Sequence, residues 1–427
     1  MATRFWLTPT AAPYTPATKR GTWTDNATTI TGALAMQPAG SAVTTAKVET
    51  ATTTTNVLLG RWIGPPARKA ATITGTISWV LGRMASAAAA TMVDRMHIYV
   101  TAGNSDTVRG TLLSNYTGTV NWPTTAAGVA VTNQAITSVA VQAGDRIVVE
   151  LGYQAKNTVA TAYTGTTHYG GTGTTDLAAG ATTVTTTPGW IEFSDAHGVF
   201  AAPMSEIVEK FTTGMGRFIY WGGTFWNEPW KRAGIPPNSA YPGLMASDVP
   251  YEITGSSHYF EVTTLPTGGA GTYFAAIVLG PVDNGTFVRF RYLPATNTLT
   301  CDNCVNYYDP TPTTLTFDPV AHRWWRFREA AGTLYWETSP DAMTWTVRRT
   351  MATTQWLKFG TLRVNFEGYA DEGSTPTPAE VDNINTVPAT AVKVWNGAAW
   401  AVKPVKVWTG TAWAVKPVKA RSDTAWF

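Results

Sequence analysis

The chain has few charged residues, two cysteines and no long apolar segment. Only 14% of its 427 residues are charged, against the ~25% of an average soluble protein. Two cysteines cannot form a disulfide framework. No run approaches the ~20 apolar residues of a membrane span, so we expect no membrane insertion. The amino terminus has no apolar stretch followed by a cleavage site, and we expect the chain to fold in a cytoplasm.

Threonine, valine, glycine and tryptophan are abundant instead. The 38 glycines and 26 prolines supply turns, and threonine and valine favour pleated strands. This composition predicts an all-β protein of two jelly-roll-like β-sandwiches followed by short β-hairpin repeats. The predicted divisions are an extended docking arm (1–20), the first sandwich (21–204), the second sandwich (205–388) and the repeats (389–427).

Strand patterns are clear in both predicted sandwiches. The stretch TITGTISWVLGRM places Ile73, Ile77 and Trp79 at alternate positions, and VQAGDRIVVELGYQA alternates in the same way. Between the last two strands of the first sandwich we expect a Thr/Gly-rich loop, roughly 155–187. In residues 322–350, two glycine- or proline-containing turns separate three strands, which predicts an antiparallel meander.

The carboxyl-terminal residues repeat a 13-residue unit, VKVWNGAAWAVKP (392–404) then VKVWTGTAWAVKP (405–417). Each unit predicts a β-hairpin, because Asn-Gly is a strong turn signal. The repeat places these tryptophans in equivalent positions: Trp395 with Trp408, and Trp400 with Trp413 and Trp426. Hairpins this short cannot bury a core alone, so we predict that these five tryptophans pack between repeats or subunits of a homo-oligomer. The alternative is an aromatic platform for sugar rings.

Charge is concentrated in this tail. Residues 391–427 carry five lysines, one arginine and one aspartate, while the whole chain has a net charge of only +3. The pattern suits an anionic partner such as a wall polymer. No nucleic-acid-binding motif accompanies it, and we expect no nucleic-acid partner.

The sequence offers little catalytic chemistry. Glu367, Asp371 and Glu372 lack the alternation of paired glycosidase carboxylates, and we assign them to a loop. Cys301 and Cys304 have the spacing of half a zinc site, but no second cysteine pair exists. The histidines show no ligand spacing, and His168 falls in the predicted loop. We therefore expect no enzyme activity, no metal and no cofactor.

Aromatic residues are the candidates for ligand binding, because aromatic rings stack on the faces of sugars. We predict carbohydrate-binding residues at Trp226, Trp230, Tyr307 and Tyr308 in the second sandwich. The competing interpretation is that each of the four is a core residue.

The stretch RWWRFREAAGTLYWETSPDAMTWT resembles the core meander of concanavalin A-like, laminin-G-type jelly-roll domains. VDNINTV (381–387) resembles their closing strand, so the resemblance covers about 205–388. Ala342 stands where the family usually has a glycine. The resemblance implies a β-sandwich. Such domains commonly bind glycans, often with calcium, although many members are structural.

The tail repeat, the first sandwich and the laminin-G-like domain together resemble minor tail proteins of bacteriophages that infect actinobacteria. This resemblance implies a tail-tip or fibre subunit of the virion, assembled in the host cytoplasm among other virion proteins. We expect contact with a host wall glycan and favour a trimer. The alternatives are a capsid decoration or head-fibre protein, and a bacterial carbohydrate-binding, lectin-like protein.

Overall fold

A computed structural model describes residues 2–27, 29–157, 159–173, 175–280 and 285–386, and the backbone of 391–395, 400–404, 406–408 and 413–415. Strands dominate these residues, and the predicted all-β class is confirmed. The helices among them are short 3₁₀ turns: Ala88–Ala90, Met204–Glu206, Pro294–Thr296 and Gln355–Lys358. None of these described helices has the length or apolar character to cross a membrane.

The chain forms two compact units. The first contains the described residues of Met1–Pro203, Val249–Gly255 and Thr353–Leu362. The second contains those of Met204–Asp248, Ser256–Ala352 and Arg363–Phe427. The sequence-predicted boundary lay between 204 and 205.

The strands of the first unit are β1 (Thr3–Ala11), β2 (Ile30–Ala35), β3 (Val43–Glu49), β4 (Thr55–Ile63), β5 (Ala71–Ala85), β6 (Met92–Thr101), β7 (Val108–Asn121), β8 (Ala127–Ala135), β9 (Val139–Val141), β10 (Arg146–Ala155), β11 (Tyr163–Tyr169), β12 (Trp190–Asp195) and β13 (Ala202–Pro203). The sheet order is β3-β11-β5-β12-β1-β2-β4-β10-β6-β7, and β8 and β9 also pair with β5.

This long sheet curls around one core. Trp79 on β5 and Tyr116 on β7 are far apart in the strand order, yet their rings meet edge to face at 5.0 Å. The buried core draws on β1, β5, β6, β10 and β12 together. Alternating residues of β5 such as Ile73, Ile77 and Trp79 point into it, as their spacing predicted.

The predicted docking arm (1–20) is not a free extended segment in the structure. Thr3–Ala11 form β1, which pairs with β12 on one side and β2 on the other. Phe5 and Trp6 are buried there, so this segment belongs to the unit's own sheet rather than to a free arm. The chain that follows is held by buried Glu150, whose carboxylate accepts N–H groups from Arg20 (2.8 Å) and Gly21 (2.7 Å).

The predicted loop at 155–187 contains a strand that the sequence analysis missed. Tyr163–Tyr169 form β11 and pair with β3 and β5. His168 therefore lies on a strand. Threonine and glycine gave no apolar alternation here, but pairing on both sides satisfies the backbone of β11.

The strands of the second unit's sandwich are β14 (Phe218–Trp221), β15 (Phe225–Asn227), β16 (Arg232–Ile235), β17 (Gly243–Glu252), β18 (Ser257–Thr264), β19 (Tyr273–Leu279), β20 (Phe287–Leu293), β21 (Thr298–Cys304), β22 (Thr313–Thr316), β23 (Trp324–Ala330), β24 (Thr333–Ser339), β25 (Thr346–Ala352), β26 (Leu362–Tyr369) and β27 (Ala379–Asp382). One sheet has the order β17-β26-β19-β20-β21-β22, with β14 beside β17. The end of β17, from Val249 on, belongs to the first unit and pairs there with β13. The other has the order β15-β16-β27-β18-β23-β24-β25.

Aromatic rings fill the space between these two sheets. Trp325 on β23 lies 5.8 Å from Phe274 and 5.3 Å from Phe290, measured between ring centroids. Phe260 on β18 meets Phe366 on β26 at 4.7 Å. The predicted meander is confirmed as β23-β24-β25. At its second turn Ala342 has φ +58°, so this alanine adopts the conformation that glycine favours.

Two antiparallel hairpins follow, as predicted. They are β28 (Ala391–Trp395) with β29 (Trp400–Pro404), and β30 (Lys406–Trp408) with β31 (Trp413–Val415). The register sets Trp395 opposite Trp400 and Trp408 opposite Trp413. Trp426 lies outside the described residues, and the packing of these tryptophans stays a prediction.

Candidate functional site

The exposed aromatic side chains that the structure describes lie in the second unit. Among the described residues, every exposed tyrosine, tryptophan and phenylalanine lies there: Tyr220, Trp221, Phe225, Trp230, Tyr241, Tyr307 and Tyr308. Grouped exposed rings are unusual on a soluble surface and often mark a binding site.

Three tyrosines form a stack beside one of these tryptophans. Tyr241 and Tyr369 stack with ring centroids 4.7 Å apart and planes 26° apart. Tyr273 follows, with its centroid 5.7 Å from that of Tyr369. The indole Nε1 of Trp221 donates to the carbonyl of Tyr241 at 2.8 Å. We call Trp221, Tyr241, Tyr369 and Tyr273 the aromatic strip.

Strand register places the strip on the outer face of its sheet. Tyr273 on β19 is directly opposite Tyr369 on β26, while the neighbouring Phe274 points into the core. On β14, Trp221 is opposite Gly243. A Cβ at that glycine would lie 2.7 Å from the indole ring, so only glycine allows the ring to rest there.

Polar side chains continue the same face. Glu367 accepts a hydrogen bond from the Tyr273 hydroxyl at 3.4 Å and one from Asn365 Nδ2 at 3.2 Å. Burial raises the pKa of Tyr273, and the nearby Glu367 charge raises it further. The phenol therefore stays protonated and remains a donor. Asp371 similarly accepts from the Tyr369 hydroxyl at 3.3 Å.

One buried polar atom on this face has no hydrogen-bond partner among the described residues. It is Oδ1 of Asn365, which is 8% exposed. Nε of Arg291 lies 3.7 Å from Asp302 Oδ2 and forms an ion pair with it. Small, buried Ala275 sits opposite Glu367 on one side and Arg291 on the other. An unpaired buried polar atom costs roughly 1–3 kcal/mol, so a ligand that donates a hydrogen bond to Asn365 Oδ1 gains binding energy. Such a face can stack the apolar side of a sugar ring and hydrogen-bond its hydroxyl groups.

The residues proposed from sequence do not form one site. Trp230 is 66% exposed in the turn after β15, at the first edge of its sheet. Trp226 is half-buried, and its Nε1 donates to the Phe211 carbonyl at 2.7 Å. Tyr307 and Tyr308 are exposed after β21, in the other sheet.

The tryptophan pair, Trp226 and Trp230, and the tyrosine pair, Tyr307 and Tyr308, lie at opposite edges of the sandwich. The strand β25 ends the sheet that begins with β15, and Arg349 on β25 reaches the Cys301 carbonyl of β21 at 2.6 Å. The tyrosine pair is thus near β25, away from β15. Whether any of the four residues binds a glycan stays a prediction.

The sequence signal that could have indicated the strip is the alternation of Asn365, Glu367 and Tyr369, which places these three side chains on one face of a strand. We had assigned Glu367 to a loop, but it lies within β26. The two cysteines are buried on β21 without forming a disulfide, and burial raises the pKa of Cys304 to about 11. In the part of the chain that the structure describes, no three His, Cys, Asp or Glu residues are grouped as metal ligands.

A carboxyl pair lies on the outer face of the other sheet. Glu261 on β18 is opposite Asp382 on β27. Asn383 Nδ2 donates to Glu261 at 2.7 Å and to Asp382 at 3.1 Å. Burial raises the pKa of Asp382 to about 7, and the Glu261 charge adds to the effect, while Arg232 and Lys210 oppose it.

No family model matches the chain. No curated protein matches it either. Among solved structures it is similar to the apo Crh5 transglycosylase, with 10% identity and a TM-score of 0.30 over 41% of this chain and 83% of the other. It is also similar to the tandem CBM22 domain of Xyn10C from Paenibacillus barcinonensis, with 11% identity, a TM-score of 0.21 and coverage of 74% and 81%. A third similar structure is that of the tandem CBM51 modules of the Streptococcus pneumoniae family 98 glycoside hydrolase. Its identity is 8% and its TM-score 0.14, and the match covers 74% of this chain and 80% of the other. Two of these three are carbohydrate-binding modules, but similarities this weak carry no argument about function.

The carboxyl pair predicts a pH dependence of stability. Since the folded-state pKa of Asp382 lies above its ordinary value of 3.8, its stabilising contribution is full below that ordinary value and disappears as the pH rises through about 7. We expect Asp382→Asn to remove the part of the pH-dependent loss of stability that comes from ionisation of Asp382. Urea denaturation at about pH 4.5, 6 and 7.5 should show a shallower fall in the free energy of unfolding for the variant.

The exposed Asp371 provides the control, and Asp371→Asn should follow the wild-type pH profile. Identical profiles for wild type and Asp382→Asn would contradict the assignment.

Proposed function

We propose that the chain is a virion subunit of the tail-tip or fibre type that binds cell-surface glycans through the aromatic strip. One observation carries the glycan part. A stack of partly exposed tyrosines adjoins buried Asn365 Oδ1, which lacks a hydrogen-bond partner among the described residues. Rings alone would suit many apolar ligands, but rings beside an unpaired acceptor suit a hydroxylated ring.

The virion part rests on the sequence. The 13-residue repeat, the first sandwich and the laminin-G-like domain are what the resemblance to phage minor tail proteins consists of. Contact with a host surface gives the strip a ligand, since bacterial walls are rich in glycans. The basic tail favours walls that also carry anionic polymers.

Replacing Tyr369 should weaken glycan binding most, because its ring lies between Tyr241 and Tyr273. We expect Tyr369→Ala to reduce retention of the full chain on actinobacterial wall preparations at least about tenfold, which corresponds to ~1.4 kcal/mol. A co-sedimentation series over wall concentration measures this.

Tyr308→Ala is the matched control, since it removes an exposed ring from the same unit outside the strip. It should leave retention unchanged. Loss with Tyr308→Ala and none with Tyr369→Ala would move the site to the residues chosen from sequence. No retention of the wild type on any wall tested would leave no glycan function for this unit.

The tail should drive assembly. We expect a homo-oligomer, with a trimer favoured, because isolated two-stranded hairpins are marginal in water and each tryptophan can bury ~150–250 Å². Light scattering after size exclusion should give a multiple of 45.9 kDa for the full chain and a single-chain mass for a truncation after residue 390. Trp400→Ala with Trp413→Ala should dissociate the assembly.

Lys403→Gln with Lys416→Gln is the control and should leave the mass unchanged, because lysine keeps its charged head in water. A monomeric full chain would contradict the assembly. Gold-labelled antibody on virions then locates the subunit, and label on capsids instead of tails would support the decoration-protein alternative.

A further inference from the structure

A groove opens between β7 and β8 in the first unit. Its volume is ≈190 Å³, and its lining includes Asp94, Tyr116, Thr119, Val120, Val129 and Val131. Tyr116 packs edge to face on Trp79, which fixes its ring. Its hydroxyl makes no hydrogen bond to any residue that the structure describes. A phenol held in place with an unused hydroxyl is ready to bind a polar group.

The floor of the groove is a buried carboxylate. Asp94 is 1% exposed. Its Oδ1 accepts from Arg83 Nε at 2.8 Å and from Trp122 Nε1 at 3.0 Å, and its Oδ2 accepts from Trp79 Nε1 at 2.9 Å. A carboxylate has about four acceptor positions, so Oδ2 retains one.

Charge limits what the groove can bind. Arg83 is fully buried and neutralises Asp94 directly. The pair is already rigid, because moving either partner would leave an unpaired buried charge. The groove therefore has no free charge to attract a cation or an anion, which favours a neutral ligand.

Size and lining limit it further. An apolar cavity of about 150 Å³ accommodates a benzene-sized ring, so this groove of ≈190 Å³ has room for one six-membered ring. Val120, Val129 and Val131 supply an apolar wall. The Tyr116 hydroxyl and Asp94 supply a polar side.

We propose that this groove binds a single neutral sugar ring, with its hydroxyl groups on Tyr116 and Asp94 and its apolar side on the valines. The site shares no residue with the aromatic strip and lies in the other unit. It would give the chain a second, small carbohydrate site that holds a terminal monosaccharide. The inference does not depend on the proposed virion role.

The test uses the full chain carrying Tyr369→Ala, so that the strip does not contribute. Saturation-transfer NMR is recorded with D-glucose, D-galactose, D-mannose and N-acetyl-D-glucosamine, each at millimolar concentration. At least one sugar should receive saturation. Adding Val120→Trp should abolish the transfer, because an indole at this rim position fills the mouth of the groove. Adding Tyr116→Phe should reduce it at least about fivefold, since only the hydroxyl is lost.

Val48→Trp is the matched control, an exposed valine on β3 outside the groove, and it should leave the transfer unchanged. Thermal melts confirm that each variant is folded. The proposal is overturned if no sugar receives saturation in the Tyr369→Ala chain, or if Val120→Trp leaves the transfer intact. Full transfer in Tyr116→Phe also counts against it, because the polar recognition would then be absent. Failure of the strip to bind walls is a separate result, which comes from the wall retention of the wild type compared with that of Tyr369→Ala.

Discussion

The register between β26, β19 and β20 determines both faces of one sheet in the second unit. It places Tyr273 opposite Tyr369, and Ala275 between Glu367 and Arg291, on the outer face. The alternate residues, such as Phe274, then meet Trp325 in the core. A slip of one residue would exchange the two sets. The pairings that hold the core therefore also place Tyr273 and Tyr369 of the aromatic strip. These two rings need no ligand to bring them together, which reduces the entropy lost on binding.

In the first unit, two buried carboxylates hold the surrounding chain in place. Asp94 and Glu150 are both buried, and each carboxylate accepts at least three N–H donors. Burial without those donors would cost several kcal/mol. Asp94 organises Trp79 and Trp122 beneath the groove, and Glu150 holds the chain that follows β1. Low overall charge in this protein thus coexists with charges at structurally decisive positions. The outer surface of the first unit carries no exposed aromatic side chain among its described residues.

Local patterns in the sequence predicted the local structure well. Alternation predicted β5 and the β23-β24-β25 meander, because those strands have one apolar face. Composition predicted the all-β class. The strand β11 was missed because its threonines and glycines show no alternation of apolar and polar residues. The strand β1 was mistaken for an arm because Phe5 and Trp6 give the same sequence pattern in a docking segment as in a strand of the unit's own sheet. The aromatic strip was missed for a different reason. Tyr273 and Tyr369 are far apart in the chain, and only cross-strand register, which a single sequence does not contain, brings them together. Trp230, by contrast, was chosen from sequence because it stands in a local cluster of aromatic residues, and the structure shows only that it is exposed.

The proposed function depends on a glycan binding to the aromatic strip. A crystal structure of the full chain with an oligosaccharide released from an actinobacterial wall tests it most directly. We expect a sugar ring stacked on Tyr369 and its neighbours, with a hydroxyl group within hydrogen-bond distance of Asn365 Oδ1. A ring bound at Trp230 or at Tyr308, with the strip unoccupied at saturating oligosaccharide, would contradict it.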